Sequence, residues 1–244
     1  MQIDLNKVEF LCHSGISFEE MKNVKPLRPF ADEVVSFLSA LSQELLRSKT
    51  NKAYPEIITF AFYCRKANLE SEKKKYLDCM ENHIGRGLTF HIAPSNVPVN
   101  FAYSMVAGLL SGNACIVRVS SKPFPQTDVI CNAINSVLSS GEHDKMKEFI
   151  SIIRYERDVE VTSYLSALCN VRIIWGGDST ISEIRKSPVA PRAFDVTFAD
   201  RYSICVIKAK EYLAQGNYQK VAHDFYNDTY LFDQNACSSP HLIV

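Results

Sequence analysis

Residues 91–122 read HIAPSNVPVNFAYSMVAGLLSGNACIVRVSSK, and the rhythm of this stretch decides the fold. A β-branched and aromatic run, LTFHIA, ends at Ala93 and gives way to a loop in which Pro94 and Pro98 bracket one amide, Asn96. FAYSMVAGLLSG then carries apolar residues at helical spacing, and ACIVRV is a second apolar strand run. Strand, helix and strand make one βαβ unit. Near-continuous apolar strands are buried on both faces, the mark of a parallel sheet covered by helices. In such sheets ligands bind beyond the carboxyl ends of the strands, and Asn96 stands there. Asn beside proline is common turn chemistry, and a rigid amide donor at a strand end is also a candidate site feature. The loop alone supports both readings.

Outward from this unit the alternation continues. ISIIRY, VRIIW and SICVIK read as further strands, and QTDVICNAINSVL, VEVTSYLSAL, STISEIRK and YQKVAHDFYNDTYLF as helices. Ahead of it, residues 1–25 show no period. Phe30, Val34, Phe37, Leu38, Leu41 and Leu45 then mark a helix, and PEIITFAFYCRKANLE a second one with Pro55 in its first turn. ESEKKKYLDC reads as a solvated charged face. The expected organisation is a mostly helical segment at 1–80, an α/β domain at 81–232, and the start of another domain at 233–244.

Composition narrows the class. Lys plus Arg (27) balances Asp plus Glu (27), so no global field draws the chain to nucleic acid or acidic lipid. The N-terminus has no apolar signal region and no run approaches a membrane span, so a cytosolic protein is expected. The eight cysteines form no CxxC pair and no metal-ligand spacing, and most lie among apolar neighbours as buried thiols. Cys237 differs, standing among small polar residues in QNACSSP.

The familiar GxGxxG and GxxxxGK[ST] phosphate loops are absent. WGGD, carrying Gly176, Gly177 and Asp178, follows a strand and precedes a helix that Ser179 or Thr180 could cap; it is either a phosphate-approaching turn or a plain tight turn. In RVSSKPFPQT, Arg118 and Lys122 bracket Ser120 and Ser121, with no carboxylate before Thr127. Cations and hydroxyls at the second strand end suit the 2′-phosphate of NADPH, where an NAD site would offer Asp or Glu.

Three segments, in order, resemble the aldehyde dehydrogenase superfamily, and more closely its LuxC-type acyl-CoA reductases, the fatty acid reductases of bacterial bioluminescence. They are the 91–122 stretch, IIWGGDSTISEIR and DQNACSSPHLIV. The resemblance implies an aldehyde dehydrogenase-like Rossmann-type parallel sheet with flanking helices behind a helical N-terminal arm. It implies a Cys237 nucleophile, an Asn96 oxyanion donor, and a cofactor site including Pro94, Ser95, Arg118, Ser120, Ser121, Lys122, Gly176, Gly177 and Asp178. No metal is implied. The cofactor would be NADPH and the substrate a fatty acyl-CoA or acyl-protein thioester, with homo-oligomers or acyl-transfer enzymes as compatible assemblies. Phe198 falls about where hydrolytic relatives carry a water-activating glutamate, although Asp195 and Asp200 stand close by. That departure favours reduction of an acyl thioester over NAD-linked aldehyde oxidation; a non-catalytic nucleotide-binding or assembly module is the reading from another class. By the same resemblance the chain is expected to be the cofactor-binding portion of a longer reductase.

Overall fold

The computed structural model describes residues 3–12, 15–80, 82–230, 233–234 and 236–244; the side chains of 77–79 are outside the description. The chain forms two compact units, Met1–Phe198 and Ala199–Val244.

In the first unit, β1 (Glu9–Cys12) leads to four helices: α1 (Phe18–Lys22), α2 (Asp32–Arg47), α3 (Pro55–Tyr63) and α4 (Lys66–Met80). Ser17 and Glu20 cap α1 reciprocally. The buried stripe of α2, Val34, Val35, Phe37, Leu38, Leu41 and Leu45, is the helical period anticipated from Phe30 onward. The second anticipated helix is two, because the chain breaks at Cys64 and the Asn68 amide donates to the Tyr63 carbonyl (2.8 Å).

The alternating part follows as β2 (Leu88–Ile92), α5 (Asn100–Leu110), β3 (Ala114–Arg118), α6 (Pro125–Ser139), β4 (Ile150–Arg154), α7 (Val159–Leu168), β5 (Val171–Trp175), α8 (Asp178–Ile184) and β6 (Phe194–Phe198). The sheet order is β1-β4-β3-β2-β5-β6, parallel except for β1. Every residue of β2 is buried, as a strand covered on both faces requires. From β2 the chain winds one way through β3 and β4, then returns to the other side of β2 for β5 and β6. The β2/β5 boundary is therefore the topological switch point, where open α/β sheets bind ligands.

Two strands of this sheet escape the sequence pattern. β1 is short and antiparallel, and it enters from the segment read as period-free. The strand after β5 is FDVTF, not SICVIK. Its register, Arg172↔Asp195 to Trp175↔Phe198, is pinned by an ion pair between buried Arg172 and half-buried Asp195.

The second unit holds β7 (Ser203–Cys205), α9 (Ala209–Gln215), α10 (Tyr218–Tyr230) and β8 (Pro240–Ile243), with β7 and β8 forming a separate parallel pair. SICVIK is thus a strand, of another sheet. The boundary expected at residue 232 falls outside the described residues; the division between compact units lies at 198/199. Among the described residues no helix is long and apolar enough to cross a membrane.

Candidate active site

Three strand ends build the candidate site of the first unit. Past β2 the chain bends at Ser95 and Asn96, both exposed, with Pro94 and Pro98 half-buried on either side. The prolines fix φ around the amide and stiffen the loop. Val99 precedes α5, which packs back on β2 and β3 and buries Phe101, Met105 and Leu109.

At the end of β5, the Trp175 ring stacks on Phe198 with centroids 3.8 Å apart and planes 6° from parallel. The Gly176 N–H donates to the Phe198 carbonyl (3.2 Å), so that N–H is engaged in the strand pairing. Gly177 is the residue preceding α8 and no side chain caps it, so the caps expected from Ser179 or Thr180 are not made; Asp178 places a carboxylate in the first turn.

The indole is tethered from inside the fold. Trp175 Nε1–H donates to Ser104 Oγ (3.0 Å), which lies 2.8 Å from His91 Nδ1; His91 Nε2 lies 2.8 Å from Thr89 Oγ1, which donates to the Ala114 carbonyl (2.9 Å). Indole can only donate and a carbonyl can only accept. The assignment that satisfies every member therefore runs one way, with His91 neutral and protonated on Nε2. Burial holds the His91 imidazole down to about 3, which agrees with a neutral ring. This relay joins α5, directly after the Asn96 loop, to the aromatic pair beside the glycine turn.

At the end of β3, the Arg118 guanidinium donates to the Tyr155 carbonyl (3.1 Å) and lies 4.7 Å over the Tyr155 ring. Ser121 Oγ donates to the same carbonyl (3.3 Å), and the Lys122 N–H donates to Ser120 Oγ (3.0 Å). Lys122 Nζ sits 5.1 Å over the Phe124 ring. Neither Arg118 nor Lys122 has a carboxylate partner among the described residues, and Arg118 Nε is buried without a hydrogen bond. Two uncompensated cations and two hydroxyls fit a phosphate.

Asp195 does not stand at a strand end. Burial alone would raise its carboxyl, but hydrogen bonds and charge from Arg172, then Arg185, outweigh that and hold it below the usual range. Arg172, 2 % exposed, grips it twice (2.8 and 3.2 Å) and spends another nitrogen on Ser166 and the Ile184 and Ser187 carbonyls. Asp195 is a structural anion. Asp200 lies in the second unit.

In that second unit Cys237 is exposed, on the turn between α10 and β8. Ser203 Oγ donates to its carbonyl (2.7 Å), and buried Ser239 bonds back to Ala236 (2.9 Å) and to the Thr229 carbonyl (3.1 Å). Asp233 and Gln234 enter the turn with φ of 49° and 59°, a left-handed path that costs non-glycine residues energy. Of the other described cysteines, five are buried and Cys205 is half-buried. Burial pushes Cys64, Cys115 and Cys169 up to about 12, so they are inert. No group of three or more metal-ligating side chains occurs among the described residues.

Sheet order, switch point and strand-end loops define the first unit's class: the fold is that of the aldehyde dehydrogenases. Solved structures of similar fold include aldehyde dehydrogenase 21 from Physcomitrella patens (TM-score 0.58, 14% identity, 94% of this chain and 49% of that one). Another is proline utilization A from Corynebacterium freiburgense (TM-score 0.62, 16% identity, 92% and 23%). Within that fold, residues 20–244 match the family described as acyl-CoA reductase (LuxC), and the chain belongs to it. Similar sequences include the long-chain acyl-protein thioester reductases of Aliivibrio fischeri (27% identical over 168 residues) and Vibrio harveyi (28% over 166). Each alignment covers 66% of this chain and 32% of the relative, so the chain spans about a third of the length of the relatives it matches.

Proposed function

We propose that this chain supplies the nucleotide-binding and nucleophile-bearing portion of an NADPH-dependent fatty acyl-thioester reductase. When bound, NADPH supplies the hydride. Arg118, Ser120, Ser121 and Lys122 would hold its 2′-phosphate, with Pro94, Ser95 and the Gly176–Asp178 turn lining the rest of the crevice. The Cys237 thiolate attacks the acyl carbonyl and expels the thiol of coenzyme A or of an acyl-carrying protein, leaving an acyl-enzyme. The Asn96 amide donates to the carbonyl oxygen as negative charge develops there, and its proline-stiffened loop spares the reorganisation a mobile donor would need. After reduction the cysteine-bound thiohemiacetal collapses to the aldehyde and regenerates the thiolate. Phe198 stands at the β6 end stacked on Trp175, and Asp195 is held by Arg172, which supports reduction over water-activated oxidation.

The observation that carries this reading is the cluster of uncompensated Arg118 and Lys122 beside the switch-point loop of Asn96, in a family member whose one exposed described cysteine is Cys237. The test is acyl-CoA-dependent loss of NADPH. Asn96→Ala should lower turnover about 100- to 1000-fold, as removal of an oxyanion donor does, with NADPH affinity unchanged. A loss expressed mainly in NADPH binding would make Asn96 a structural turn residue. NADPH binding with no acyl-dependent turnover would favour a binding module.

A further inference from the structure

The strand-end turn that carries Ser120, Ser121 and Lys122 has one internal bond, Lys122 N–H to Ser120 Oγ (3.0 Å), and further ties to its neighbour. It hangs from the neighbouring strand end, residues 154 and 155. Arg154, with its side chain 17 % exposed, closes β4 and sends its guanidinium three ways. Nε donates to the Ser120 carbonyl (3.3 Å), Nη1 to Glu9 (2.9 Å), and Nη2 stands 3.9 Å from Asp128 without a hydrogen bond. Glu9 lies directly opposite Arg154 in the β1–β4 register, and Asp128 is in the first turn of α6. One planar side chain thus joins the edge strand, the turn and the following helix. On the other side, the Tyr155 carbonyl accepts from both Arg118 and Ser121.

Arg154 differs from Arg118 and Lys122 in charge balance. Two carboxylates offset its charge, so it adds little net attraction for an anion at the strand end. Its effect is geometric. It engages the Ser120 carbonyl, whose negative end would otherwise compete with a phosphate for the same donors, and it fixes the turn whose hydroxyls and Lys122 remain. We propose that Arg154 is a positioning residue for cofactor selectivity: it holds the Ser120–Lys122 turn in the conformation that accepts a phosphorylated ribose. The proposal rests on the cofactor reading above.

Calorimetric titration of NADPH and NADH into the full chain tests it, with Arg154→Gln, Arg154→Lys and Lys122→Glu beside the wild type. Arg154→Gln should weaken NADPH about tenfold or more and NADH less than about twofold, because only the 2′-phosphate uses the turn. Arg154→Lys keeps a cation beside Glu9 but lacks the fork that reaches Ser120 as well, so it should behave like Arg154→Gln. Rescue by Lys would assign the effect to charge and overturn the positioning role. Equal losses for both cofactors would also overturn it, as a general fold defect. An unchanged NADPH preference in Arg154→Gln, with that preference lost in Lys122→Glu, would sink this inference and leave the cofactor reading standing. A wild type without a preference for NADPH would overturn both.

Discussion

His91 occupies a fully buried position in a central parallel strand, where Val or Ile is the ordinary choice. Its polarity is tolerated because both ring nitrogens are engaged, by Ser104 and Thr89. Burial holds it neutral, with a folded pKa of about 3 against about 6.5 when unfolded. Below the unfolded value the unfolded chain takes up a proton that the folded chain refuses. Its influence on stability is therefore flat above about pH 6.5, and stability falls by roughly 1.4 kcal/mol per pH unit as pH drops from there toward about 3. Urea unfolding between about pH 7 and about pH 5 should show that slope reduced in His91→Gln relative to wild type. Equal slopes would mean that His91 titrates normally in the fold. Asn96 and Cys237 were legible in the sequence as small polar groups in unusual settings, but turn chemistry also explains Asn96, and the roles proposed for both rest on the family resemblance. The Trp175–Ser104–His91–Thr89 relay was not: its links join residues up to 71 positions apart, and periodicity shows only that His91 sits in a strand.

At the scale of the element, α5 carries a glycine in its interior where Ala would favour the helix by about 1 kcal/mol. Gly108 is there because a Cβ would lie 2.6 Å from Cys115 Sγ and 2.9 Å from His91 Nε2, so the helix seats on β2 and β3 only with hydrogen at that place. Gly108→Ala should thus destabilise the protein, by about 1–3 kcal/mol in urea unfolding, as overpacking does. Because Trp175 is the sole tryptophan, a displaced His91 should also change its emission through the relay. A stabilised Gly108→Ala would show that the contact yields freely. Apolar strand runs and the helices between them were legible for the same reason that the sheet is stable, burial on both faces. The edges were not. β1 is short, β6 is polar enough to hold Asp195, and edge strands are half-solvated, so hydrophobic pattern is weakest where the sheet stops.

Over the whole molecule the two units differ in what holds them. The first is built around a continuous apolar core running from Val8 to Ile181. In residues 199–244 no described apolar side chain is buried, and Tyr202, Ile204, Val206, Leu213 and Val244 are more than half exposed. Hydrophobic burial is the main favourable term in folding, so a segment without it lacks independent stability. Residues 1–198 made alone should unfold cooperatively, and residues 199–244 made alone should give the far-ultraviolet spectrum of an unfolded chain. A cooperative transition in the latter would contradict the burial argument. The sequence pattern in SICVIK and YQKVAHDFYNDTYLF revealed one strand and one helix of this unit but neither α9 nor β8 nor its separateness, because alternation does not say which sheet a strand joins. Transfer of the acyl group to Cys237 is the central step of the proposed reaction. Brief exposure of the protein to a long-chain acyl-CoA, followed by peptide mass spectrometry, tests that directly. The predicted result is acylation of Cys237 that disappears in Cys237→Ser, with buried Cys64, Cys115 and Cys169 unmodified; acylation persisting on another cysteine in Cys237→Ser would contradict it.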